Sequence, residues 1–178
     1  MTDSNSVSAA LISQLQASLD TLLWCIDRCP ADQWLESHGD HPFCQVAFHA
    51  LFWCDYYLSG SESGFMAQAW HTEHPRLFAD YEELEDRLPV RLPARDDVLG
   101  YLAFCRAKAV ATLSSAEAEG LLATSSHRNG TMSTLEVIIY ATRHNQHHAA
   151  QLGLRLQLLS GDEMPWFSRG QPGTSGPS

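Results

Sequence analysis

Apolar residues recur every three or four positions along four stretches of the chain. In the first, Leu11, Leu15, Leu19, Leu22 and Leu23 fall on one face of a helix turning 3.6 residues per turn. This predicts a helix from Ser6 to Arg28, stopped by Pro30. A second helix is predicted from Pro42, a residue suited to the first helical position, to Leu58, with Ser59-Gly60 as its stop. A third starts near Arg95 and runs to Glu119-Gly120, with Val98, Leu102, Cys105, Ala109 and Leu113 as its stripe. The fourth opens at Ser133-Thr134-Leu135-Glu136, a capping box in which Ser and Glu each satisfy a backbone donor of the first turn. It ends at Ser160-Gly161, Gly being suited to the left-handed exit. No alternating run bounded by turn residues competes for strand.

Four long amphipathic segments predict an all-α fold, a four-helix bundle within residues 1–160. The second and third helices are separated by roughly thirty residues, far more than bundle connections usually need. So long a link is expected as a crossover between helices 2 and 3, letting these two run parallel. Its aromatic content, Phe65, Trp70, His71, His74, Phe78 and Tyr81, predicts that it packs on the bundle and caps one end. From Gly161 to Ser178 the sequence GDEMPWFSRGQPGTSGPS reads as a flexible tail. It is expected to add nothing to the core beyond a docking of Trp166 and Phe167.

The net charge of −10 and the absence of a Lys/Arg cluster argue against nucleic acid or an anionic membrane as partner. The start, MTDSNSVSAALISQ, lacks the basic and apolar regions of a secretory signal. No uninterrupted apolar stretch reads as long enough to span a bilayer. Five cysteines, Cys25, Cys29, Cys44, Cys54 and Cys105, an odd number without a signal, fit free thiols in a reducing cytoplasm. Cys25 and Cys29 are close enough to meet, but read as small buried hydrophobes.

The chemistry lies in the histidines. On the fourth helix His144 and His148 are four apart and stack on adjacent turns. They border the apolar arc of Ile138, Ala141, Ala149, Leu152, Leu156 and Leu159, whereas His147 falls on the polar side. Such a pair can chelate one cation, and is also common as plain helix surface. On the second helix His49 shares the inward arc with Val46, Trp53 and Tyr56, while Asp55 and Phe48 point elsewhere. Burying three imidazoles without partners is costly. A cation removes that cost by taking each lone pair and leaving the other N–H for an acceptor. Bundles build metal sites in this way, from side chains on facing helices. Histidines satisfied by hydrogen bonds alone remain the other reading. Neither Glu nor Asp lies on the inward faces beside these histidines, so no strong general base is evident. Tyr56 and Tyr140 sit one or two turns away, where they either donate hydrogen bonds or simply pack.

The segments AFHALFWCDYYL and RHNQHHAAQLGLRLQLL resemble the DinB-like family of metalloenzymes. In that family the last helix carries His-x-x-x-His-x-x-Gln-[Leu/Ile], matched here by His144, His148, Gln151 and Leu152. Its third histidine lies midway along the second helix before aromatic residues, as His49 does. The resemblance spans residues 6–160 and implies a four-helix bundle, frequently dimeric. It also implies one divalent metal ion, zinc or nickel, held by His49, His144 and His148. Relatives with an assigned activity are transferases and isomerases using low-molecular-weight thiols. An open three-histidine site with Gln151, Trp53 and Tyr56 on the substrate side is therefore expected, for transfer to a thiol or hydrolysis of a small molecule. The alternatives are a non-catalytic metal-binding or stress-related bundle, and a purely structural one. The chain departs from the family pattern in His147 and in the His71-x-x-His74 pair. His147 is expected to face solvent or a partner subunit, and His71 and His74 to be candidates for the site's mouth. Tyr140, Leu154 and Leu158 form a second stripe that suits a homodimer.

Overall fold

A computed structural model describes residues 4–37, 41–78, 81–85, 87, 90–127 and 130–170. The long helices are α1 (Ser4–Arg28), α2 (Phe43–Leu58), α6 (Arg95–Ser114) and α8 (Thr134–Ser160). Between α2 and α6 lie α3 (Glu62–Met66), α4 (Ala69–Glu73), α5 (Pro75–Phe78) and a 3-10 turn, Glu82–Glu85. The short α7 (Ala118–Leu122) precedes α8. The fold is all-helical, with no strand among the described residues; isolated bridges pair Ser37 with Pro42 and Thr124 with Ser133.

The helix ends follow the local chemistry. Pro42 stands one position before its expected place, as the N-cap of α2 and not its first helical residue. The capping box of α8 forms, with the Ser133 N–H donating to Glu136 Oε2 (2.8 Å) and the Glu136 N–H to Ser133 Oγ (3.3 Å). Gly161 closes that helix at φ 79°, the left-handed conformation glycine adopts without a Cβ penalty. The third predicted helix is corrected: α6 stops at Ser114, not at Gly120. There Ser115 turns its hydroxyl back onto the carbonyls of Ala111 and Thr112, 3.1 Å each, and α7 follows as a separate turn.

α1 packs against α6 and α8, and so does α2. Side-chain bonds give the directions. Arg106 pairs with Asp20 (2.5 Å) and Arg95 reaches the Cys29 carbonyl, so α6 runs antiparallel to α1. Phe48 meets Tyr101 (centroids 5.8 Å) and Asp55 meets Lys108 (2.5 Å), so α6 runs parallel to α2. The core between them contains Leu15, Leu19, Leu22, Leu51, Phe52, Leu102, Ile138 and Leu152, all essentially inaccessible to solvent. Over Ser6–Arg28, α1 is long and apolar enough by composition to cross a membrane, against the sequence expectation, and 67% of its most apolar window is buried within the protein. Its apolar stripe is used in the core.

Residues 161–170 depart from the expected tail. The Met164 sulfur lies 3.8 Å from that of Cys25, and the Gly170 N–H donates to the Ser13 carbonyl (2.9 Å). A Cβ at Gly170 would run into the backbone of Gln16 and Ala17, so only glycine permits this approach to α1. Phe167 packs on the core while Trp166 is 83% exposed. Residues 171–178 of the predicted tail lie outside the described residues.

Candidate metal centre

α2 is buried almost all round. Its residues that are not fully buried are His49, Trp53 and Tyr56, spaced four and three apart and so on one face. That face meets α8 running antiparallel, with His49 against His144 and His148, and Tyr57 against Tyr140. One ring nitrogen from each of His49, His144 and His148 lies within 4.8 Å of the other two, a group that could hold a metal ion. The ring centroids are 4.5–5.1 Å apart, and Nε2 of His144 is 3.2 Å from Nε2 of His148. All three rings are partly exposed.

The outer nitrogens define which atoms face inward. His49 Nδ1 is 2.7 Å from Glu83 Oε2, and His148 Nδ1 is 2.8 Å from Gln151 Oε1. A carboxylate and an amide oxygen only accept, so each Nδ1 carries a proton, and each Nε2 is the ring nitrogen left to face the cluster. Burial, then the nearby His49 charge, push His148 down to about 4, against the raising hydrogen bond to Gln151. His148 is therefore neutral at neutral pH, as a ligand must be. Three converging imidazoles, two of them backed by acceptors, are a donor set that fits a borderline divalent ion.

Glu83 corrects the expectation that no carboxylate stands beside the histidines. It comes from the 3-10 turn between α2 and α6, is 2% exposed, and also accepts from Trp53 Nε1 (3.1 Å). The stretch EELE has no periodicity that would have singled it out. Gln151 is exposed and engaged with His148, and His147 is exposed with its ring 5.0 Å from that of His148. Trp53 and Tyr56 continue the open face, their centroids 5.2 Å apart, and the Trp53 ring stands edge-on to His49 at 6.4 Å. The Tyr140 ring stacks towards His144 at 6.2 Å.

The structure does not bring His71 and His74 into this cluster. His74 stacks on Trp70 (3.8 Å) and its Nδ1–H donates to the Trp70 carbonyl (2.8 Å). His71 stacks on Phe78 (3.8 Å) and its Nε2 lies 2.8 Å from Asp55 Oδ2. Asp55, fully buried, is the hub of a second polar cluster. It also accepts from Tyr101 Oη (2.9 Å), Lys108 Nζ (2.5 Å) and Gln68 Nε2 (3.2 Å). Burial alone would raise its carboxyl, but the hydrogen bond from His71 and then the charge of Lys108 hold it below the ordinary value. These contacts pin α3–α5 onto α2 and α6.

No curated protein matches this sequence. The DinB superfamily matches residues 14–152, a span that contains His49, His144, His148 and Gln151. With most of its length matched and the three histidines gathered on facing helices, the chain belongs to the DinB superfamily.

Proposed function

We propose that this protein is a divalent-metal-dependent enzyme acting on a small molecule, as a thiol-dependent transferase or a hydrolase. The observation that carries the reading is the meeting of His49, His144 and His148, with Glu83 and Gln151 turning two Nε2 lone pairs inward. In this reading the four long helices are a four-helix bundle within residues 1–160, with residues 59–94 as its crossover. The parallel course of α2 and α6 supports it.

Three histidine ligands leave a coordination position open. A zinc or nickel ion there supplies Lewis acidity to a water, thiol or carbonyl group. The chain's own residues do the rest. Glu83 and Gln151 hold two of the imidazoles in register, and the partly exposed rings leave one side reachable from solvent. Trp53 and Tyr56 offer an apolar wall for the substrate, a low-molecular-weight thiol or its acceptor. One observation favours non-catalytic metal binding instead: Glu83 already accepts two hydrogen bonds through Oε2 and is committed to His49 and Trp53.

Five buried free cysteines support a cytoplasmic setting. A homodimer is supported by Leu154 and Leu158, 56% and 79% exposed on α8. An apolar groove of about 440 Å³ between α1 and α8, lined by Val7, Ala10, Leu11 and Ile139, adds to it. A monomer by light scattering would remove that part of the proposal.

The test is elemental analysis of protein purified without metal-affinity chromatography. One zinc or nickel per chain, lost in His49→Ala and His148→Ala, is the expected result. Wild-type protein that stays metal-free after incubation with either ion would reject the reading. A screen of metal-loaded protein against defined low-molecular-weight thiols with electrophilic acceptors then separates an enzyme from a metal-binding protein.

A further inference from the structure

Glu83 is a buried carboxylate in an unusual position. It belongs to none of the four long helices but to a four-residue turn in the segment between α2 and α6. Its Oε2 takes the donors of His49 and Trp53, whereas Oε1 is buried without a hydrogen-bond partner. Among the described residues no lysine or arginine pairs with it; Arg87, four residues on, pairs with Glu82 and Glu85 instead. A buried carboxylate is costly without compensating donors or a nearby cation, and of its two partners His49 is the one that a cation at the three histidines would contact. The turn is held by its own segment: Glu82 Oε2 accepts from the Val90 N–H (2.6 Å), and Tyr81 enters it at φ 49°. A non-glycine residue persists in that left-handed conformation only where its surroundings impose it. The docking of this segment therefore decides whether a carboxylate stands behind His49.

We propose that Glu83 is a positioning residue that couples metal binding at the three histidines to docking of the segment between α2 and α6. The inference rests on the metal-binding reading above. When the segment is docked, Glu83 holds the His49 tautomer with its lone pair inward and places a negative charge behind the ligand. When the ion is bound, its charge compensates the buried carboxylate and favours the docked segment. Such coupling is reciprocal, so the two effects have the same size.

The experiment compares wild type, Glu83→Gln and His49→Ala, each first checked for helical content by circular dichroism. Zinc affinity is measured by chelator competition. Trypsin cleavage after the exposed Arg76 and Arg87 is timed with and without saturating zinc. Glu83→Gln, which keeps an amide oxygen to accept from His49 but removes the charge, is expected to weaken zinc binding about 10- to 100-fold, the usual effect of mutating the partner behind a ligand. Zinc is expected to slow cleavage in wild type by a similar factor and to lose most of that effect in Glu83→Gln. Equal zinc affinity in wild type and Glu83→Gln overturns the proposal, as does wild-type cleavage unchanged by bound zinc. If Glu83→Gln does not fold, the wild-type cleavage comparison decides alone. Failure of wild type to bind zinc or nickel, matching His49→Ala, overturns the metal reading itself and this coupling with it.

Discussion

α2 carries two polar clusters on two of its faces, one centred on Asp55 and one on His49. Around Asp55 the cluster is closed: His71, Tyr101, Lys108 and Gln68 all reach its carboxylate, and the Asp55 side chain is fully buried. Around His49 the arrangement is incomplete. Three imidazoles face one another, two acceptors stand behind them, and the His49 side chain keeps 22% of its surface. Both clusters are tied to the segment between α2 and α6, the first through Gln68 and His71, the second through Glu83. The closed cluster uses its polar groups on one another and holds the structure together. The open one gathers a ring nitrogen from each of three imidazoles within 4.8 Å of the others, a group that could hold a metal ion.

The comparison breaks first at Asp55. Asp55→Ala leaves the Lys108 ammonium partly buried without its carboxylate, and loss of one member of a buried pair costs about 3–5 kcal/mol. Urea unfolding of the metal-free protein should show this loss. A loss below about 1 kcal/mol would mean that the Asp55 cluster is not what holds the segment. His148→Ala should behave oppositely. Metal-free stability should change little, while the stabilisation of wild type by zinc, about 2.7 kcal/mol at one hundred times its Kd, should disappear. Thermal scans with and without zinc read both quantities.

The two clusters should also differ in pH. His148 sits at about 4 in the folded protein, against an ordinary value of 6.5. Between these values the unfolded chain binds a proton that the folded one refuses, so metal-free stability is full above pH 6.5 and falls as the pH drops towards 4. Asp55 is held below its ordinary 3.8, so its contribution is present above that pH and is lost only as the pH falls further, through the folded value. His148→Ala should flatten the upper window and leave the lower one. An unchanged upper window would assign that pH dependence elsewhere. The smallest effect is expected at Gln151. Gln151→Ala removes the acceptor behind His148 and should weaken zinc about tenfold without altering metal-free stability, as chelator competition can check.

Much of this architecture is legible in local pattern. Leu15, Leu19 and Leu22 mark the buried side of α1, and Ser133, Glu136 and Gly161 mark both ends of α8, because periodicity and caps are settled within a few residues. The histidine pair on α8 is visible for the same reason, since residues four apart must share a face. The role of α2 is harder to read. The arc of His49, Trp53 and Tyr56 reads as inward, yet α2 is buried on nearly every side and this arc is where it opens. On a helix apolar all round, no hydrophobic stripe tells the core side from the cleft side.

The sequence by itself determined the course of the four long helices, the caps of α8 and the pairing of His144 with His148, since those depend on spacing along one chain. Tertiary structure alone decided that Glu83, 34 residues from His49, stands behind it, that His71 serves Asp55 instead, and that Gly170 lies against α1. These pairings arise from how distant segments pack, and a buried polar group takes whatever partner that packing supplies.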